Sequence, residues 1–270
     1  LGDAKRIRVA PIDRKAADAA VKRWHYSGKV VNNSQLHLGA FLDGELLGAM
    51  QFGPSLDKSK LLGLVEGTPW NGFLELNRMA FSDRLPRNAE SRCIAVAMRM
   101  MREHAPHVQW VVSFADGAQC GDGTIYRASG FVLTGLRRNT SIWAAPTGDT
   151  FSRTSLTDNS SHGQQRAPRA VVSRTTVTKG GHASQAGGGA SMRPYVEAGF
   201  KPVPGFQLRY LYFIDPTARE RLMVPVLPFS AIDAAGARMY RGKPSSCAES
   251  SAPRGTTTGA GGATPTSALP

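Results

Sequence analysis

Cysteine is scarce in this sequence: Cys93, Cys120 and Cys247 are the three among 270 residues, and they lie far apart. That spacing supplies neither a disulfide framework nor a cysteine zinc site. No run of 18 apolar residues occurs, so no membrane-spanning helix of ordinary length is expected. The start, LGDAKRIRVA, lacks the apolar core of a signal peptide. A reducing cytoplasm is the expected location. No G-x-G-x-x-G opens a helix and no G-x-x-x-x-G-K-[ST] is present, which argues against dinucleotide and P-loop chemistry. Acidic residues are also in short supply. Asp and Glu number 20 against 33 Lys and Arg, a formal net charge of +13. The imbalance points to a polyanionic partner, nucleic acid first. A basic but otherwise ordinary soluble protein would show the same arithmetic.

At 41% hydrophobic residues the chain can build a core. Two stretches cannot contribute much to it. Residues 151–193 are rich in Ser, Thr, Gly, Gln and Arg, and residues 243–270 in Ser, Thr, Gly, Pro and Ala. Neither offers enough apolar surface to offset its ordering entropy. The first reads as a basic insertion or loop and the second as a disordered tail. The rest alternates. A strand over Ile7 to Ile12 precedes a helix capped by Asp13, with Ala17, Ala20, Val21 and Trp24 on one face and Gly28 as its stop. Gln35 to Leu42 and Glu45 to Phe52 flank an Asp43-Gly44 hairpin turn. Phe73 to Phe81 is a strand, and Arg87 to His104 a helix with Ile94, Ala97, Met98 and Met101 buried. Val108 to Phe114 is a continuous apolar run that suits a central strand. Thr124 to Ser129 is a short helix closed by Gly130. Phe131 to Arg137 and Ser141 to Ala145 are expected to pair, and Gln207 to Ile214 is a late strand. This order predicts an α+β fold, a mixed and mainly antiparallel sheet flanked by helices. Residues 1–150 are the expected catalytic core, with 194–242 supplying a C-terminal strand and extension that complete it.

Five constellations carry chemistry. In Trp110 to Gly117, Ser113 and Asp116 close a buried strand, where clefts form. Asp116 has three candidate roles, as general base, metal ligand or partner for a histidine; an Asp-Gly turn is the structural alternative. In WHYSG, His25 stands at a helix C-terminus, where the dipole favours imidazolium and keeps the proton in the physiological range; a helix-capping histidine is the alternative. In LNRMAF, Arg78 lies inside an apolar strand and requires an anion, either a carboxylate such as Asp116 or a substrate group. Arg84, Arg87, Asn88 and Arg92 lead into the strongest helix and form a ready anion site. No glycine is present there, and Pro86 removes a backbone donor. Finally, Tyr126 in YRASGF follows the central strand. Strand, small helix and Y-x-x-x-G-F resemble the late signature of the acetyltransferase superfamily, in which the tyrosine protonates the leaving thiolate. A packing tyrosine with Gly130 as a C-cap is the alternative.

Together, WHYSGK, FLELNRMAFSDRLPRNAESR and VSFADGAQCGDGTIYRASGF resemble the Mom family of phage adenine-modification proteins, over roughly Ala10 to Pro146 with weaker support from Arg209 to Gly242. The resemblance implies an acetyltransferase-like fold. It implies conversion of adenine in double-stranded DNA to N6-carbamoylmethyladenine, which shields phage DNA from restriction in the cytoplasm of an infected or prophage-carrying host. It also implies acetyl-coenzyme A and iron as cofactors. Carried over by motif, the functional positions are His25, Tyr26, Arg78, Asp116 and Tyr126, with His25, Asp116 and Tyr126 as the nitrogen and oxygen donors for iron. Tyr26 or Trp24 would stack on an extruded base, and Arg84, Arg87, Arg137 and Arg138 would hold phosphates. Ordinary acetyl transfer gives an acetamide, whereas this product joins N6 to a methylene carbon. Radical chemistry on an acetyl donor or a different donor, such as an activated glycine, would make that bond. The other readings are an N-acetyltransferase of a small amine or protein, and a non-catalytic basic DNA-binding protein.

Overall fold

The computed structural model describes residues 3–117, 123–153, 156 and 192–237. Most of the expected insertion at 151–193 and all of the tail at 243–270 lie outside the described residues.

A short 3-10 turn, Asp3–Arg6, leads into strand β1, Arg8–Pro11. Helix α1, Arg14–Trp24, starts where the Asp13 carboxylate accepts the Ala16 amide hydrogen at 2.7 Å, and it buries Ala17, Ala20 and Val21. Strands β2, Leu36–Leu42, and β3, Glu45–Gly53, form the hairpin. Asp43 and Gly44 take positive φ of 52° and 86°, the handedness that a two-residue turn between twisted strands needs. After helix α2, Lys58–Leu62, come strand β4, Phe73–Phe81, and helix α3, Ala89–His104. Helix α3 buries Cys93, Ile94, Ala97, Met98 and Met101. Strand β5, Trp110–Asp116, helix α4, Thr124–Ala128, and strand β6, Val132–Arg138, follow.

The seven-stranded sheet runs β1-β2-β3-β4-β5-β10-β6, where β10 is Phe206–Phe213. Only β4 and β5 run parallel among its neighbours; the other pairs are antiparallel. The fold is thus the mixed, mainly antiparallel α+β sheet with flanking helices that the element order predicts. Its main core lies between the sheet and α3, around Met50, Phe52, Ile94, Met98, Val111 and Tyr210. On the opposite face α1 packs Ala17 and Ala20 on Ala49, and α2 with the segment after it packs Leu61, Leu64 and Val65 against Phe73, Trp110 and Leu211.

The expected pairing of Phe131 to Arg137 with Ser141 to Ala145 does not form. Strand β6 pairs with β10 instead, and Ile142–Ala144, strand β7, joins β8, Thr150–Ser152, and β9, Lys201–Pro202, in a separate three-stranded sheet. Asn139 at the junction accepts the amides of Ser141 and Ile142 and donates to the carbonyls of Ile142 and Val203, which turns the chain out of the main sheet. Helix α5, Arg193–Glu197, packs there, and Ala145, Leu156 and Phe200 form the small core. Packed structure therefore extends past residue 151, where the composition first suggested a loop. Helices α6, Thr217–Glu220, and α7, Ser230–Ala234, end the described chain. Among the described residues no helix is long and apolar enough to cross a membrane.

Candidate active site

The site follows from a fork in the sheet. Strand β4 is paired to β3 along nearly its whole length, and β5 to β10 along all of its own. Between them, β4 and β5 share only three rungs, Phe73–Trp110, Leu74–Val111 and Glu75–Val112. Beyond Glu75 the strands separate, and a cleft of about 930 Å³ opens between Leu76–Phe81 and Phe114–Asp116. His25, Tyr26, Arg78, Arg87, Asn88, Asp116 and Tyr126 all line it.

The cleft reaches both faces of the sheet. On β4 the register slips at Asn77, because Gln51 faces Arg78 while Phe52 faces Leu76. This bulge brings Glu75 and Arg78, three residues apart, to one face instead of opposite faces. Leu76 and Met79 point into the α3 core, so Glu75 and Arg78 face α1 and the loop after it. Arg78 donates from Nε to the Lys29 carbonyl at 3.0 Å and to the Asn77 carbonyl at 2.7 Å. Those carbonyls, and not Asp116, take its hydrogen bonds. Burial and then the pull of Ser55, Asn77 and Arg78 act oppositely on the Glu75 carboxyl, and burial wins, so its pKa is raised.

His25 is the C-cap of α1. Its Nδ1 accepts the Ser27 amide hydrogen at 3.1 Å and lies 2.8 Å from Ser27 Oγ. The neutral ring then carries its proton on Nε2. Burial first, and the Arg78 charge second, push the pKa down to about 4. The helix-dipole expectation of imidazolium near neutral pH is therefore reversed: desolvation and a neighbouring cation outweigh the helix end. At neutral pH His25 is a hydrogen-bond donor with a fixed tautomer. The Tyr26 ring stands 4.3 Å from that of His25 and is exposed. Its hydroxyl, by contrast, is crowded by protein and neighbours the Asp116 carboxylate, which together push its pKa up to about 12.

Tyr126 lies on the α3 face, packed 5.3 Å from both Phe131 and Tyr210. Burial raises its pKa, opposed by the adjacent Ser113 hydroxyl. Ser113 is fully buried beneath the cleft floor, and its Oγ meets no partner of good hydrogen-bond geometry. At this end the cleft touches the start of α3, where Asn88 adopts φ 68° and ψ 16° and makes no side-chain cap bond. Asparagine tolerates this left-handed conformation better than most residues, so it turns the chain in a stretch that has no glycine. Arg84 stands outside the cleft in a two-pronged ion pair with Glu45. Arg92 also lies outside, partly buried on α3, with its Nε unpartnered.

The implied iron does not fit this arrangement. Among the described residues no three His, Cys, Asp or Glu side chains gather as a metal site. Tyr126 is held as a buried phenol beside Ser113, and His25 has its Nδ1 engaged by Ser27. Among the residues that escaped the sequence reading are Asn77 and Phe114, which line the cleft, and Glu75 at the base of the fork. Asn77 is buried, and only the register reveals it as a bulge. Phe114 is indistinguishable from its neighbours in an apolar run. Glu75, at the base of the fork, was the one with a signal, a carboxylate within FLELNRMAF.

The chain matches the model of the Mom protein family over residues 6–231. It is 42% identical over 137 residues to a protein of Escherichia phage Mu named methylcarbamoylase mom, a match that spans 50% of this chain and 56% of that relative. Among solved structures it is similar to an acetyltransferase of the GNAT family from Streptococcus pneumoniae, at 14% identity and a TM-score of 0.36, covering 50% of this chain and 89% of the other. It is also similar to a Bacillus subtilis acetyltransferase in complex with CoA, at 10% identity and a TM-score of 0.35, covering 50% and 80%.

Proposed function

The chain belongs to the Mom protein family, and we propose that it is a transferase that modifies the N6 amine of adenine in double-stranded DNA to the carbamoylmethyl form. The protection of phage DNA from restriction, in the cytoplasm of an infected or prophage-carrying bacterium, is part of the same reading. The name of the phage Mu relative supports it. The observation that carries it is the fork: His25, Tyr26, Arg78, Asp116 and Tyr126, drawn from four separate segments, line one cleft.

In a duplex N6 is tied up in the base pair at the major-groove edge and cannot enter an active-site pocket, so the adenine must be extruded, at about a few kcal/mol. The exposed Tyr26 ring offers it a stacking face. The N6 amine is a donor and the adenine ring nitrogens are acceptors. The Asp116 carboxylate is suited to the first, and the His25 Nε2–H to the second. When the new N6–carbon bond forms, N6 loses a proton, which Asp116 takes. Tyr126, kept a neutral phenol by burial, retains a proton for the departing group. At the α3 end of the cleft the helix-start amides and Arg87 would hold the phosphates of acetyl-coenzyme A. An acetyl unit alone would leave an acetamide on N6, so the carbamoylmethyl product would need a donor with a leaving group on a methylene carbon next to an amide. N6 would displace that group as Asp116 takes its proton and Tyr126 protonates the group that departs.

The test is nucleoside mass spectrometry of plasmid DNA from cells expressing the chain, alone and as Asp116→Ala. Carbamoylmethyladenine with the unaltered chain, and none with the folded variant, is expected. Modified adenine at full level in the variant overturns the role of Asp116. Unmodified DNA in both, with acetylation of a small amine by the purified protein, overturns the DNA reading.

A further inference from the structure

Beside the cleft the sheet presents an open face of unusual composition. On β5, Phe114 and Asp116 point away from the α3 core, since Val111, Ser113 and Ala115 alternate with them toward the buried side. Phe114 is 43% exposed in a strand whose preceding residues are all buried. Directly opposite Phe114 on β10 is Arg209, and directly opposite Asp116 is Gln207. One strand further, Gly135 faces Arg209 and Arg137 faces Gln207. Opposed side chains share a face at about 5 Å. Two short rows therefore cross β5, β10 and β6: Phe114, Arg209, Gly135 and Asp116, Gln207, Arg137. One row lower, Val112 and Leu211 are covered by Leu61, Leu64 and Ala218. Among the described residues that cover stops there, apart from Ser141, whose hydroxyl donates to Gln207 at 3.2 Å.

The two arginines are arranged for an anion. Arg209 lies across Gly135, where a Cβ would approach its guanidinium to 3.3 Å, and Thr134 fixes it through Oγ1 at 3.1 Å and its carbonyl at 2.8 Å. Arg137 is exposed, and no carboxylate among the described residues forms an ion pair with either one. Burial and the charge of Arg137 both disfavour the charge on Arg209. Two guanidiniums held side by side without a carboxylate cost free energy that a bound anion relieves. An exposed aromatic next to paired cations on an open sheet is the composition of a single-strand platform, with ring stacking for bases and arginine for phosphates.

We propose that the outer face of β5, β10 and β6 holds the DNA strand next to the extruded adenine, with Phe114 stacking on a neighbouring base and Arg209 and Arg137 holding its phosphates. The proposal rests on the DNA reading above and adds to it the path of the strand. That path ends at Asp116, which shares its row with Arg137.

The experiment is fluorescence anisotropy with the full chain and a labelled duplex carrying one unpaired adenine, titrated at several salt concentrations. Arg137→Ala and Arg209→Ala are compared with Arg99→Ala, which removes an exposed charge from α3. Each platform variant is expected to lower the slope of log affinity against log salt by about one, as loss of one phosphate contact does. Phe114→Ala is expected to weaken binding about tenfold with the slope unchanged, and Phe114→Trp to restore it. Binding by all three alanine variants equal to that of Arg99→Ala overturns the platform while leaving the DNA reading intact. An unaltered chain that neither binds this duplex nor modifies adenine overturns both.

Discussion

A histidine that gives up its proton at about pH 4 is a poor proton shuttle at neutral pH and a dependable hydrogen-bond donor. Burial is the larger cause and Arg78 the smaller, so Arg78→Met should raise the His25 pKa only part of the way toward 6.5. An NMR titration of the imidazole Cε1 proton reads this directly, and an unmoved pKa would contradict the Arg78 contribution. The sign of the linked stability effect follows. Between pH 6.5 and about 4 the unfolded chain binds a proton at His25 and the folded chain does not, so this residue makes folding weaken as pH falls through that window. His25→Gln should flatten the slope, as followed by urea midpoints at pH 7 and pH 5. At this scale the sequence was informative where a residue breaks its local pattern. Asp116 at a strand end and Arg78 in an apolar strand were visible for that reason. The protonation of His25 was not, because it depends first on burial by tertiary packing and then on the approach of Arg78, far along the chain.

Single elements position the site through local departures from regular geometry. The bulge at Asn77 turns Glu75 and Arg78 to one face, and no periodicity in the sequence marks it. Gly123 precedes α4 at φ 77°, and a Cβ there would overlap the Tyr210 ring. Gly123→Ala should therefore cost about 1–3 kcal/mol from overpacking, with left-handed backbone strain in addition. Because Tyr126 sits on the first turns of α4 against Tyr210, the displacement should reduce modification more than it reduces folding. Thermal melts and nucleoside mass spectrometry on the same preparation compare the two losses; equal activity with a lowered melting temperature would show that Tyr126 tolerates the shift. The helices and the first hairpin were legible because their apolar spacing and turn residues act over a few positions. The partner of β6 was not. The expected neighbour lay a few residues downstream, and the actual one, β10, lies some seventy residues away in sequence.

At the scale of the molecule, that late strand decides whether the front of the chain folds at all. Strand β10 fills the gap between β5 and β6, pairing seven residues of β5 and six of β6. It buries Leu208, Tyr210 and Leu211 almost completely. Burial of each side chain contributes about 1.5–3 kcal/mol, so losing the three removes an amount comparable with a domain's whole net stability of about 5–15 kcal/mol. Both flanking strands would also be left with open edges, β5 among them, the strand that carries Asp116. The end of that strand is fixed by β10 as well, since the Gly117 amide donates to the Phe206 carbonyl at 2.7 Å. A chain cut after residue 150 should accordingly show no cooperative unfolding transition by circular dichroism and should elute as aggregate on size exclusion. A cooperative melt and a monomeric peak from that fragment would mean that β5 and β6 close on each other without β10. The fork would then have to be stabilised from the β3–β4 side alone.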